Sequence, residues 1–114
     1  MEDYLEAVYI LFQKQGYARC VDVAEQFGVK KPSVSRAVKE LTKSGHLVKN
    51  ANGTLSLTEQ GLQLAEQIYE KHLFFTDSLI KAGVPPDTAA QDACKLEHAI
   101  SEESFKKLKS LLME

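Results

Sequence analysis

The stretch VDVAEQFGVKKPSVSRAVKELTKSGHLVKNANGTLSLT, residues 21–58, decides the architecture of this chain. Two apolar patterns with helical spacing sit either side of a glycine. Val23, Ala24 and Phe27 share one side of a short helix from about Val21 to Phe27. Gly28 permits a tight turn, after which Val29 is expected to pack inward. Pro32 suits the first turn of the next helix, where an amide has no helical partner to lose. That helix runs to about Ser44, burying Val34, Ala37, Val38 and Leu41, and Gly45 stops it. The period then changes. His46 to Lys49 reads as a short strand, and Asn50-Ala-Asn-Gly53 as a turn with a strong hairpin signal. Thr54 to Thr58 alternates polar and apolar residues, as a half-exposed strand does.

Upstream, Leu5, Val8 and Phe12 recur at helical spacing and Leu11 widens the stripe, so residues 3–14 read as a helix ended by Gly16. Three helices followed by a hairpin is the order of a winged helix-turn-helix, and residues 1–60 are assigned to such a domain. Downstream, Thr58 is placed to cap a long helix over roughly 59–82, with Leu62, Ala65, Ile68, Tyr69, Phe75, Leu79 and Ile80 as its apolar surface. Gly83 and Pro85-Pro86 end it. A fifth helix is expected from about Asp87 to Ala99, and Ser101 opens a sixth striped by Phe105, Leu108, Leu111 and Leu112. Residues 61–114 are therefore an all-helical second domain, and the fold class is mainly α.

Charge is unevenly spread. The chain has 114 residues and a net charge of −2, which on its face argues against nucleic acid. Yet residues 28–50 carry Lys30, Lys31, Arg36, Lys39, Lys43 and Lys49 against Glu40 alone, a local charge of +5, between two acidic flanks. Such a segment is either a solvated helix face or the electrostatic footprint of a phosphate-binding surface. In a helix-turn-helix the second helix of the pair enters the major groove. The residues it offers are Pro32, Ser33, Ser35, Arg36, Lys39 and Lys43, with Lys30 and Lys31 leading in. Arg36 has the chemistry to read guanine through two parallel hydrogen bonds, whereas lysines suit phosphates. Asn50, Asn52 and Thr54 of the hairpin are further candidates for backbone contact. The competing use of the same fold is protein contact.

A second constellation lies in the fifth helix. Cys94, Glu97 and His98 are spaced i, i+3 and i+4, which puts thiol, carboxylate and imidazole on one face. Together these form a transition-metal ligand set. Asp3 and Glu6 share a face of the first helix, and His72 lies midway along the fourth. Each has an ordinary explanation too. Acids near a helix N-terminus are favoured by the helix dipole, a lone cysteine is commonly a small hydrophobe, and a lone helical histidine is commonly a surface one. Cys20 has no acidic or histidine neighbour at useful spacing and reads as core.

The composition, 44% hydrophobic and 26% charged, is that of an ordinary globular chain and argues against disorder. No apolar run approaches a membrane span. The opening Met-Glu-Asp-Tyr lacks the basic region of a secretion signal, and two cysteines suit a reducing compartment, so a cytoplasmic protein is expected. A chain this small has limited core, which favours oligomerisation. No nucleophile motif, glycine-rich phosphate loop or His-Glu-x-x-His pattern is present, so an enzyme is not expected.

Taken together, Met1-Glu-Asp-Tyr-Leu-Glu-Ala-Val-Tyr-Ile-Leu11, Gly16-Tyr-Ala-Arg-Cys-Val-Asp-Val-Ala-Glu25, Pro32-Ser-Val-Ser35, Leu57-Thr-Glu-Gln-Gly61 and Asp92-Ala-Cys-Lys-Leu-Glu-His98 resemble the diphtheria-toxin-repressor family of metal-dependent transcriptional repressors, above all its manganese transport regulator branch. The resemblance implies a winged-helix DNA-binding domain followed by a helical metal-binding and dimerisation domain. The length matches the branch that lacks a third, SH3-like domain. It further implies a homodimer that grips a double-stranded operator when loaded with Mn²⁺ or Fe²⁺, with Co²⁺ and Zn²⁺ able to substitute in vitro. Asp3, Glu6, His72, Glu97 and His98 fall on ligand positions used in the family, and so does Cys94, where the manganese branch has a glutamate and the iron branch a cysteine. Thr76 and Ala90 stand where the iron branch supplies a glutamate and a histidine to its second site. The alternative is a winged-helix regulator that senses a small molecule or thiol oxidation without metal.

Overall fold

A computed structural model describes residues 2–112. The chain groups into two compact units, Met1–Glu66 and Gln67–Glu114. In the first, α1 (Glu2–Gln15), α2 (Cys20–Phe27) and α3 (Lys31–Lys43) precede a hairpin of β1 (Leu47–Lys49) and β2 (Leu55–Leu57), and α4 (Glu59–Lys81) begins. This is the winged helix-turn-helix order expected from residues 21–58. The core is built from the apolar stripes of the three helices. Leu5, Val8 and Leu11 of α1 meet Val23 and Ala24 of α2 and Val34, Val38 and Leu41 of α3. Each valine or leucine among them contributes roughly 1.5–3 kcal/mol when fully removed from water. Phe12 and Cys20 are half-buried against this core.

The turn between α2 and α3 differs from expectation in one residue. Gly28 takes a left-handed conformation (φ 66°) and Val29 N–H closes back on Ala24 O at 3.1 Å. That closure commits the backbone of Val29 to ending α2. Its side chain points outward and is 38% exposed, instead of packing inward.

The wing is a minimal antiparallel pair in which Leu47 faces Leu57 and Lys49 faces Leu55. Leu47 and Leu55 are buried and anchor it to the helices. A third strand-like contact, not visible as a pattern in the sequence, comes from the α1–α2 connection. Ala18 O accepts Leu55 N–H at 2.7 Å, and Arg19 bridges to Thr54. His46 N–H closes the end of α3 on Leu41 O, so the strand begins one residue later than its apolar pattern suggests.

Thr58 and Gly61 explain the Leu57-Thr-Glu-Gln-Gly61 segment. Thr58 Oγ1 accepts Gly61 N–H at 3.0 Å, capping α4, and donates to Gly45 O at 2.6 Å. Gly61 sits so close to the preceding turn that a Cβ there would lie 2.0 Å from His46 O. Only glycine fits.

In the second unit, the remainder of α4 is accompanied by α5 (Pro86–Ala99) and α6 (Glu102–Leu112). Its core centres on Phe75, Ala93 and Phe105, with Phe74, Ile100 and Leu108 packed around them. The Phe74 and Phe105 rings meet edge to face at 5.4 Å, the geometry aromatic quadrupoles favour. Ser101 Oγ accepts Ser104 N–H at 3.1 Å and starts α6. Lys71 is buried and pairs with Glu102, which ties α4 to α6. The expected stripe of α6 divides: Phe105 is buried, but Leu111 and Leu112 are 68% and 58% exposed. Among the described residues, no helix is long and apolar enough to cross a membrane.

Candidate nucleic-acid interface and metal centre

On α3 the periodicity that buries Val34, Ala37, Val38 and Leu41 leaves the remaining positions in water. Lys31, Pro32, Ser33, Ser35, Arg36, Lys39 and Lys43 are all exposed, as is Lys30 at the N-cap. The eight residues singled out by sequence thus share the solvent side of a helix whose inner side is welded to α1 and α2. Glu40 is the only acid within α3. A rigid, positively charged helix presented in this way can enter a groove lined with phosphates without reordering itself.

The polar side chains of the wing bond to one another. Asn50 donates from Nδ2 to Thr54 Oγ1 at 3.0 Å and to Ser56 Oγ at 2.8 Å. Thr54 donates to Asn52 Oδ1 from both its hydroxyl (2.7 Å) and its backbone N–H (3.1 Å). These groups hold the turn together, because a hairpin this short has few ladder bonds of its own. The result is a stiff wing. Its charged side chain, Lys49 on β1, is exposed and belongs to the same basic run as the lysines of α3.

In the second unit, His72 of α4 meets Glu97 of α5. Nδ1 of His72 lies 3.1 Å from Oε2 of Glu97, and Nε2 of His98 lies 3.4 Å from Oε1. Glu97 is 1% exposed, while the two imidazoles keep contact with water. The His72 ring also stacks on Tyr69, one turn earlier on α4. A buried carboxylate flanked by two imidazoles is costly unless compensated by positive charge. Glu97 Oε1 accepts no hydrogen bond among the described residues. Carboxylate oxygen and imidazole nitrogen are donors a divalent cation takes, and His72 with Glu97 brings one of each together on neighbouring helices. Cys94 presents an exposed thiol one turn before His98 on the same helix. Thr76 and Ala90 are half-buried and add a hydroxyl and a methyl, not ligands of that kind.

Asp3 and Glu6 occupy the first turns of α1 in the N-terminal unit, with Glu6 buried at 6% exposure. A carboxylate so placed on a helix otherwise burying Leu5, Ala7 and Val8 is not an ordinary dipole-stabilising surface acid. Nothing in the sequence pattern distinguishes Glu6 from Glu2 in this respect, because burial depends on the partners of the helix.

Comparison with known proteins covers almost the whole chain. A family model described as the iron dependent repressor N-terminal DNA binding domain matches residues 1–54. Another, the iron dependent repressor metal binding and dimerisation domain, matches residues 58–114. The HTH-type transcriptional regulator MntR of Lysinibacillus sphaericus (strain C3-41) is 33% identical over 112 residues, covering 98% of this chain and 81% of that protein. The MntR of Geobacillus kaustophilus (strain HTA426) is 35% identical over 101 residues, covering 89% and 72%. Among solved structures, the manganese regulator SloR superposes over 97% of this chain with a TM-score of 0.86 and 29% identity. IdeR of T. acidophilum superposes over 99% with a TM-score of 0.81 and 26% identity. The chain spans about half the length of these two structures, 52% and 54% respectively.

Proposed function

Since the chain belongs to the iron-dependent repressor family of metal-dependent transcriptional regulators, we infer that it is a repressor of metal-uptake genes that binds its operator as a homodimer when loaded with Mn²⁺ or Fe²⁺. The observation that carries this reading is the pairing of two features in one chain. The N-terminal unit presents a basic helix face to solvent, and in the C-terminal unit Glu97, 1% exposed, lies beside the imidazoles of His72 and His98.

The residues proposed to hold the ion are Asp3, Glu6, His72, Cys94, Glu97 and His98. The approach of His72 to Glu97 supports these two by geometry. Asp3, Glu6, Cys94 and His98 are supported by residue type, spacing and the family resemblance. A divalent cation supplies the positive charge that the carboxylates of Asp3, Glu6 and Glu97 lack. These ligands are drawn from α1, in the half that carries α3, and from α4 and α5, so an ion held by all of them would link metal occupancy to the DNA-binding half. That link is a shift of population and exists only to the extent that the loaded chain prefers its DNA-competent state.

On the DNA side, Arg36 is assigned to base reading, and Lys30, Lys31, Lys39 and Lys43 to phosphates. Pro32, Ser33 and Ser35 are assigned to the close approach of the helix N-terminal turn to the duplex. For the homodimer, Leu73, Ile80, Leu96, Leu111 and Leu112 of the second unit leave apolar surface exposed for a second copy to cover. The deciding experiment titrates Mn²⁺, Fe²⁺, Co²⁺ and Zn²⁺ while DNA binding is followed by fluorescence anisotropy. A coupling of about 1–3 kcal/mol raises DNA affinity some 5–150-fold. DNA affinity indifferent to every metal would end this reading.

A further inference from the structure

Between α3 and the wing lies a cleft of about 540 Å³ whose lining includes Lys39 and Lys43 from the helix, Lys49 from β1, and Ser35 and Cys20. Among the described residues, no carboxylate lines it. We propose that this cleft is a dedicated seat for one backbone phosphate of the DNA duplex, closed by Lys49 from the wing side. The proposal rests on the DNA-binding reading above and adds to it a site, a residue and a role for the wing.

Three arguments carry it. The lysines come from two different elements, so their convergence is not the accident of one solvated helix face. Lys39 and Lys43 are one turn apart on α3, and Lys49 approaches from the strand that follows. Three like charges sharing a concave surface repel one another, and an anion between them removes that repulsion. The scaffold is also rigid. Leu47 is buried beneath β1, and Asn50 ties the far side of the turn to Thr54 and Ser56. Lys49 is thus held on a fixed stem, not on a mobile loop. Lys49 is the charge that β1 and β2 contribute. Lysine contacts to phosphate position the protein without reading sequence.

The test uses the full chain loaded with Mn²⁺, a short mixed-sequence DNA duplex, and binding isotherms over a range of salt. Each phosphate contact contributes about 0.9 to the slope of log affinity against log salt. In Lys49→Gln the slope falls by about that amount, so the wild-type advantage shrinks roughly 3.5-fold when salt is raised fourfold. Sequence preference stays unaltered. Lys49→Arg, which keeps the charge, restores the slope. A second readout needs no variant: alkylation of Cys20, followed by peptide mass spectrometry to separate it from Cys94, slows when duplex is bound. A Lys49→Gln slope equal to that of wild type, or Cys20 equally reactive with and without DNA, overturns the proposal. So does protection of Cys20 by inorganic phosphate alone, which assigns the cleft to a free anion. Absence of any duplex binding by the loaded wild-type chain is a different result. It defeats the DNA reading itself, and the cleft assignment with it.

Discussion

The Glu97 carboxylate, 1% exposed, sets its Oε2 3.1 Å from Nδ1 of His72, a residue twenty-five positions earlier in the chain. Burying a lone carboxylate costs several kcal/mol after relaxation, and each ion withdrawn from water must be compensated by opposite charge or hydrogen bonds. His72 supplies part of that compensation on one side and His98 lies beside the other oxygen. A single carboxylate with so little water gains from any further positive charge placed beside it.

Glu97→Gln keeps the volume and a hydrogen-bonding oxygen but removes the charge. Mn²⁺ affinity measured by calorimetry is expected to fall by about tenfold or more, the scale on which metal sites respond to loss of a supporting group. Metal-stimulated DNA binding falls with it. Undiminished Mn²⁺ affinity would take Glu97 out of the ligand set.

His98 is partly solvent-exposed, so His98→Ala is expected to leave the fold intact by circular dichroism. The same variant loses the metal-dependent part of DNA affinity, about 5–150-fold. Stimulation equal to that of the unaltered chain excludes His98 as a ligand.

Cys94→Glu replaces a thiol with a carboxylate. Affinity for Zn²⁺ and Co²⁺ is expected to drop relative to Mn²⁺, because thiolate ligands select softer ions. Competition titrations among the three metals measure the change. A selectivity order independent of residue 94 would mean that the thiol does not touch the ion.

Arg36→Ala removes the one guanidinium on the exposed face of α3. Loss of a paired contact to a base relaxes discrimination at that position by about 1–3 kcal/mol. Selection from a random DNA library shows whether the preferred sequence broadens; an identical preference would assign Arg36 to the backbone instead.

Gly61→Ala places a Cβ where only 2.0 Å separates it from His46 O, a backbone atom that cannot rotate away. Overpacking of this kind costs about 1–3 kcal/mol or more, and thermal melting is expected to register it. Thr58→Ala removes the cap of α4 and the bond to Gly45 O, and is expected to cost about 0.5–2 kcal/mol. A Gly61→Ala variant as stable as its parent would show that the α3–wing turn can shift freely.

Helix and strand identity was legible because it depends on neighbours within a turn. The spacing of Val34, Ala37, Val38 and Leu41 marks a buried stripe wherever the helix packs, and all four are buried. The residues left over are then solvent-facing by subtraction, which is why the basic face of α3 was read correctly. Thr58 was legible as a cap for a similar reason, since capping bonds reach only three residues along the chain. The exposure of Val29 was not legible because it is set by turn closure. The Ala18–Leu55 contact escaped because its two halves belong to segments with no shared periodicity.

The order of local chain directions was therefore written in the amino-acid string: three helices, a hairpin and three further helices, with a basic segment and a Cys-x-x-Glu-His face among them. Folding settled which charges are withheld from water. Glu97 is enclosed while Cys94, on the same helix, stays exposed. It also brought Lys49 to the same cleft as Lys39 and Lys43. Periodicity reports a residue's direction from its own backbone. Burial and convergence depend on what another segment places opposite, and that is known only once distant parts of the chain have met.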